Sequence, residues 1–173
     1  METKEIYQLP AGVSGFFEEN VETPKRTDVN QFRKCCENLA ENSDYQMIDF
    51  FNFNSMPTKS YHLASFKHKT GGYILIFCNR YFPLVAFSQV ADGKTVEQVD
   101  LMLPENEFFD DDLLDQYFKN DFEVLSSAYL GITVDADNIE DAKAVKQLTF
   151  YEFAEFSFWK PQVLADIVFN NWG

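Results

Sequence analysis

From residue 45 to residue 102 the chain repeats one pattern: a short apolar run, a turn signal, and another run. Residues 45–54 alternate Phe51 and Phe53 against Asn52 and Asn54, and Pro57 makes the following turn. Residues 60–68 follow, closed by Thr70-Gly71-Gly72. Residues 73–79, YILIFCN, are the most apolar run and read as a central strand buried on both faces. Residues 80–83 turn the chain into a strand at 84–90, and Asp92-Gly93 turns it into another at 95–102. Strands joined this closely pair with their sequence neighbours, so the pattern predicts an antiparallel meander.

Helical signals flank these strands. Asp28 is placed to cap a helix over 28–41, with Gln31 three residues on. Phe32, Cys35, Cys36, Leu39 and Ala40 form its apolar stripe. Asp110 caps a helix over 111–119 that buries Leu113, Leu114, Tyr117 and Phe118. Residues 127–134 read as a strand, and Asp137 to Glu140 as a capping box opening a short helix to about residue 146. Thr149 to Glu152 is a third capping box. Residues 150–159 fit a strand face or a helix with Phe150, Phe153, Ala154 and Phe158 aligned. The box favours the helix. Pro161 suits the first turn of a last helix with Val163, Leu164, Ile167 and Val168 on one face. Residues 1–27 are irregular apart from a short edge strand at 6–9.

The fold expected is α+β in one domain, residues 1–173. It has an antiparallel sheet of about five to six strands and helices packed mainly on one face, the helix at 28–41 and the two C-terminal ones together. A chain of 173 residues with 46% hydrophobic content can bury such a core.

Charge divides the chain more sharply than fold does. Residues 1–91 hold 10 acids and 9 bases, whereas residues 92–173 hold 18 and 5, which together give the net −14. A field of that sign repels nucleic acid and anionic membrane and favours a basic protein partner. No apolar run opens the sequence or reaches the length of a membrane span. The three cysteines, Cys35, Cys36 and Cys78, are an odd number with two adjacent, which argues for reduced, buried thiols and a cytoplasmic location.

No catalytic or metal-binding pattern stands out. His62 and His68 lie an even number of residues apart on one strand but about 20 Å apart, and read as two solvent-facing polar residues. There is no Cys-x-x-Cys, His-Glu-x-x-His, phosphate-binding glycine loop or Gly-x-Ser-x-Gly. The expectation is therefore a protein that is not an enzyme, with no cofactor and no metal.

The segment 105–123, ENEFFDDDLLDQYFKNDFE, is the candidate binding surface. Asp110, Asp111 and Asp112 suit a helix cap and first turn, where the helix dipole favours anions. Glu105, Glu107, Asp115, Asp121 and Glu123 have no such explanation. Of Phe108 and Phe109, one is expected to staple the helix and the other to be an exposed anchor, with Tyr117 as a further anchor. Asp135 to Asp141 is a possible extension of the surface.

On FFDDDLLDQYF (residues 108–118), the acids around it and its overall profile, the chain resembles the immunity proteins of bacterial toxin systems, including contact-dependent inhibition. The resemblance implies a small acidic cytoplasmic antitoxin that binds and blocks a cognate basic toxin, often a nuclease. The alternatives are another acidic regulatory protein or a small-ligand-binding protein.

Overall fold

The computed structural model describes residues 7–16, 26–56, 58–90, 107–135, 137 and 143–172. Four strands follow one another as an antiparallel meander: β1 (Tyr45–Phe51), β2 (Tyr61–His68), β3 (Tyr73–Asn79) and β4 (Leu84–Gln89). The strand expected at 95–102 lies outside the described residues. Two further strands share the free edge of β4. β5 (Glu107–Phe109) pairs antiparallel with its C-terminal half, and β6 (Glu123–Val124) pairs parallel with its start.

Among the described residues the helices are α1 (Val29–Asn42), α2 (Asp112–Phe118), α3 (Ser127–Leu130), α4 (Phe150–Trp159) and α5 (Ala165–Val168), with a 3-10 turn at Lys143–Val145. Asp28 caps α1, accepting from the N–H groups of Asn30 and Gln31 at 3.0 and 3.2 Å. Phe32, Cys35, Cys36 and Leu39 are buried as the stripe predicts.

The α+β class and the antiparallel meander are as expected. The helices, however, cover both faces of the sheet. On one face Ala64, Ile76 and Phe87 stand opposite one another across three strands and pack under α1 and α2. On the other, Leu63, Phe77 and Ala86 pack against Phe156, Leu164, Ile167 and Val168 of the C-terminal segments. A central strand apolar on both sides requires two covering layers.

Local readings also need correction. Residues 127–134 do not form a strand: Ser126 caps α3 by accepting from the Tyr129 N–H, and beyond it only Thr133 bridges, to Val163. Residues 7–9 are not a strand either, although the Leu9 N–H donates to the Ala144 carbonyl at 2.8 Å. Most of the helix expected to start at residue 137 lies outside the described residues. Pro161 precedes rather than opens α5, which starts at Ala165. α4 forms with its capping box intact, but it is turned away from the expected stripe. Glu152 and Phe156 are buried, while Phe150 and Phe158 are 81% and 75% exposed.

His62 is not solvent-facing. It is fully buried, and its Nδ1 accepts from the Phe53 N–H at 3.0 Å. Burial, with help from Arg80 and Arg26, pushes the imidazole down to about 4. The unfolded chain therefore takes up a proton below the ordinary histidine range while the native state does not. Stability is lost as pH falls from about 6.5 toward 4. Denaturant titration should show about 2 kcal/mol less stability at pH 4.5 than at pH 7 from this residue. A His62→Gln variant should lack that part of the slope; an unchanged slope would contradict the assignment.

Arg80, only 2% exposed, sits beside it. Its guanidinium donates to the carbonyls of Met56, Lys59 and Asn54, which holds the 54–59 turn against the end of β3. All three cysteines are buried, and burial is the largest cause raising each thiol above its usual range. A thiol-reactive dye should label the native protein slowly and the denatured protein quickly. Fast native labelling of Cys35 or Cys36 would show an accessible thiolate instead.

Candidate partner-binding surface

β5, α2 and β6 form one continuous wrap along the outer edge of β4. An open sheet edge offers unpaired N–H and C=O groups to any passing strand. The acidic segment therefore first serves as structure, by occupying that edge.

The edge pairing decides where the aromatics go. Neighbouring residues on a strand point to opposite faces. Phe108 packs into one core, with ring centroids 5.7 Å from Phe77 and 6.0 Å from Phe169. Phe109 packs into the other, 6.3 Å from Phe87. Tyr117 is half-buried, and its hydroxyl donates to the Asn42 carbonyl at 3.1 Å. None of the three is a fully exposed ring: each is partly buried, and together they fasten the wrap to the body. The apolar side chain that does reach solvent is Leu113, 46% exposed, which the helical pattern had assigned to the core.

The acids separate by what each one does. Asp111, not Asp110, is the N-cap of α2, accepting from Leu113 and Leu114 N–H at 2.9 and 3.1 Å. Asp110 reaches across to α3, accepting from the Ser127 N–H and hydroxyl at 2.8 and 2.7 Å. Asp112 is exposed in the first turn. Asp115 is half-buried, and its carboxyl is raised by burial first, then by Asp112, Asp110 and Asp111, against a lowering from Lys119. Asp121 is exposed and accepts weakly from the Cys35 thiol at 3.8 Å. It also walls a depression of about 450 Å³ beside Arg26 and Asp28 at the start of α1. Glu107 and Glu123 are exposed on β5 and β6, and Glu123 raises the Tyr7 phenol after burial does.

The structure thus brings Asp110, Asp111, Asp112 and Asp115 close enough to interact, with Asp121 and Glu123 following on the same wrap. Glu105 lies outside the described residues. Asp135 and Asp137 close a turn of their own, with the Asp137 N–H donating to Asp135 at 3.0 Å, and residues 138–142 lie outside the described residues. Among the described residues no group of three or more His, Cys, Asp or Glu side chains is placed to hold a metal ion, and no helix is long and apolar enough to cross a membrane. Comparisons of the chain with protein-family models, with curated proteins and with solved structures return no match.

Proposed function

We propose that this chain is an inhibitor of the immunity-protein kind, which binds a basic partner through the carboxylates of the 107–123 wrap. The leading candidate for that partner is the nuclease domain of a toxin. The observation that carries the reading is the geometry of the acidic cluster: half-buried Asp115 sits among Asp110, Asp111 and Asp112, so that burial first and these neighbours second disfavour its charge. A carboxylate that is partly desolvated and crowded by its own kind gains when a cation arrives. The frame is rigid because Phe108, Phe109 and Tyr117 fasten it to both cores and to α1. Exposed Leu113, between Asp112 and the Leu114 anchor, supplies an apolar point within the acidic rim. A nuclease cleft is positive because it holds phosphates, so such a face can occupy it and exclude substrate without any chemistry of its own.

The test compares the native chain with an Asp115→Lys/Asp121→Lys/Glu123→Lys variant as bait in the source cell's lysate at low salt. The expected result is a basic protein retained only by the native chain, with a nuclease activity that appears when the complex is dissociated. A partner held equally by both baits, or an acidic partner, would sink the reading.

A further inference from the structure

The second surface worth an explanation is α4. Phe150, Ala154 and Phe158 fall at i, i+4 and i+8, one face of the helix, and that face looks outward. Phe150 and Phe158 are 81% and 75% exposed, and Tyr151 and Trp159 flank them at 44% and 36%. The helix is not free to roll these rings inward, because its opposite face is fixed by Glu152 and Phe156. The patch is also ordered in advance: Phe158 packs edge-on to Trp159 at 5.0 Å, and Trp159 stacks flat on Trp172 at 6.2 Å. A contiguous apolar patch of this kind on a soluble domain marks an interaction site.

We propose that α4 forms the contact of a two-fold homodimer, in which the Phe150–Ala154–Phe158 stripe lies antiparallel on the same stripe of a second copy, with Ala154 at the axis.

Three observations select a second copy as the occupant. The stripe is palindromic in size, large–small–large at equal spacing. A two-fold axis therefore sets each Phe150 beside Phe158 of the partner subunit, while alanine against alanine lets the helices approach to about 8–10 Å. Charge permits it: residues 143–160 carry Lys143, Lys146 and Lys160 against Glu152 and Glu155, where the rest of residues 92–173 is overwhelmingly acidic. Of those two acids, Glu152 is buried, and Glu155 is drawn toward the helix end by accepting from the Trp159 indole N–H at 3.1 Å. Area agrees with a weak dimer. Phe150, Tyr151 and Phe158 offer roughly 400 Å² per chain, the size of a weak and transient interface, while Trp159 lies about 140° round the helix from Ala154 and stays at its border.

The net charge of −14 adds long-range repulsion between copies, so this dimer should tighten as salt rises. That sign is opposite to the one expected for the contact with a basic partner, and the two proposals stand or fall separately.

Sedimentation equilibrium of the native chain should show a monomer–dimer equilibrium with a Kd of about 10–100 µM, tightening with salt. Phe158→Asp should raise that Kd at least tenfold with an unchanged circular dichroism spectrum. Ala154→Cys should give a disulfide-linked dimer with diamide, whereas Lys34→Cys on exposed α1 and the native chain with its buried thiols should not. Any of three results would overturn the proposal: a chain that stays monomeric throughout, a dimer indifferent to Phe158→Asp, or an Ala154→Cys chain that does not cross-link. Binding of the monomer to neutral phosphatidylcholine vesicles through Phe158 would overturn it too, in favour of a lipid surface.

Discussion

Glu152→Ala should lower stability by about 3–5 kcal/mol, a large part of what a domain of this size possesses. The carboxylate is fully buried and accepts four hydrogen bonds. Gly12 N–H donates at 2.6 Å, Ser14 N–H at 3.1 Å and Thr149 N–H at 3.1 Å, and the Ser14 hydroxyl makes a short fourth. Thr149 belongs to the helix cap, whereas Gly12 and Ser14 come from the other end of the chain. One side chain therefore closes a capping box and also fastens the N-terminal turn over the core, where Leu9 and Val13 are buried. Alanine leaves those donors without an acceptor, and each unmet buried group costs about 1–3 kcal/mol before relaxation. Glu152→Gln keeps the shape but turns an amide NH₂ toward donors, so about 2 kcal/mol is expected. Urea denaturation followed by circular dichroism at pH 7 measures both. Phe158→Asp, on the exposed side of the same helix, should cost no more than about 1 kcal/mol, most of it from a carboxylate in the last turn. If Glu152→Ala is equally mild, the N-terminal turn is not anchored as described.

That residue also shows where the sequence was legible and where it was not. The Thr149–Glu152 box is a local signal and forms as written. What a local signal cannot carry is the arrival of Gly12 and Ser14 from 138 or more residues away, and those two decide which face of α4 is buried. Counting apolar positions favoured Phe150 and Phe158; the three hydrogen bonds that Glu152 accepts from Gly12 and Ser14, with Phe156 buried beside it, oppose the rotation that would bury them. The meander read correctly because each strand's partner is its neighbour and each turn is short. β5 was missed because three residues give no periodicity, yet the adjacent pair Phe108-Phe109 was a usable signal. Two neighbouring rings on a strand must face opposite sides, and here both sides are core. His62 and Arg80 were passed over because polar residues are mostly exposed. Their burial follows from the end of β2–β3 being closed by the 54–59 turn, whose carbonyls Arg80 satisfies. The charge asymmetry was fully visible, and the capping acids were legible to within one residue. The run Asp110 to Asp112 already read as a cap and first turn, apart from Asp115, Asp121 and Glu123; what only the fold shows is that Asp111 is the cap and that Asp110 accepts from Ser127 instead.

Reversing Asp115, Asp121 and Glu123 should slow association with the basic partner by about 10- to 10³-fold at low salt. The choice of positions matters to the test. Lysine at Asp111 would remove the α2 cap, at a cost of about 1 kcal/mol, and lysine at Asp112 would oppose the helix dipole. Asp115 closes the first turn of α2, where lysine opposes the dipole but relieves the crowding of carboxylates, and Asp121 and Glu123 lie past the helix end, where added positive charge is favoured. The fold should therefore survive, with an unchanged circular dichroism spectrum and urea midpoint. Steering is a long-range effect of the summed field, so stopped-flow association rates of the native chain should fall steeply as salt rises, and those of the variant should be slow and nearly flat. Leu113→Ala separates the other contribution. An apolar contact at the centre of the rim acts after encounter, so its loss should speed dissociation and leave the association rate and its salt dependence unchanged. If the reversed chain associates as fast as the native one, with the same salt slope, the 107–123 wrap is an edge cover with solvated acids and the partner docks elsewhere.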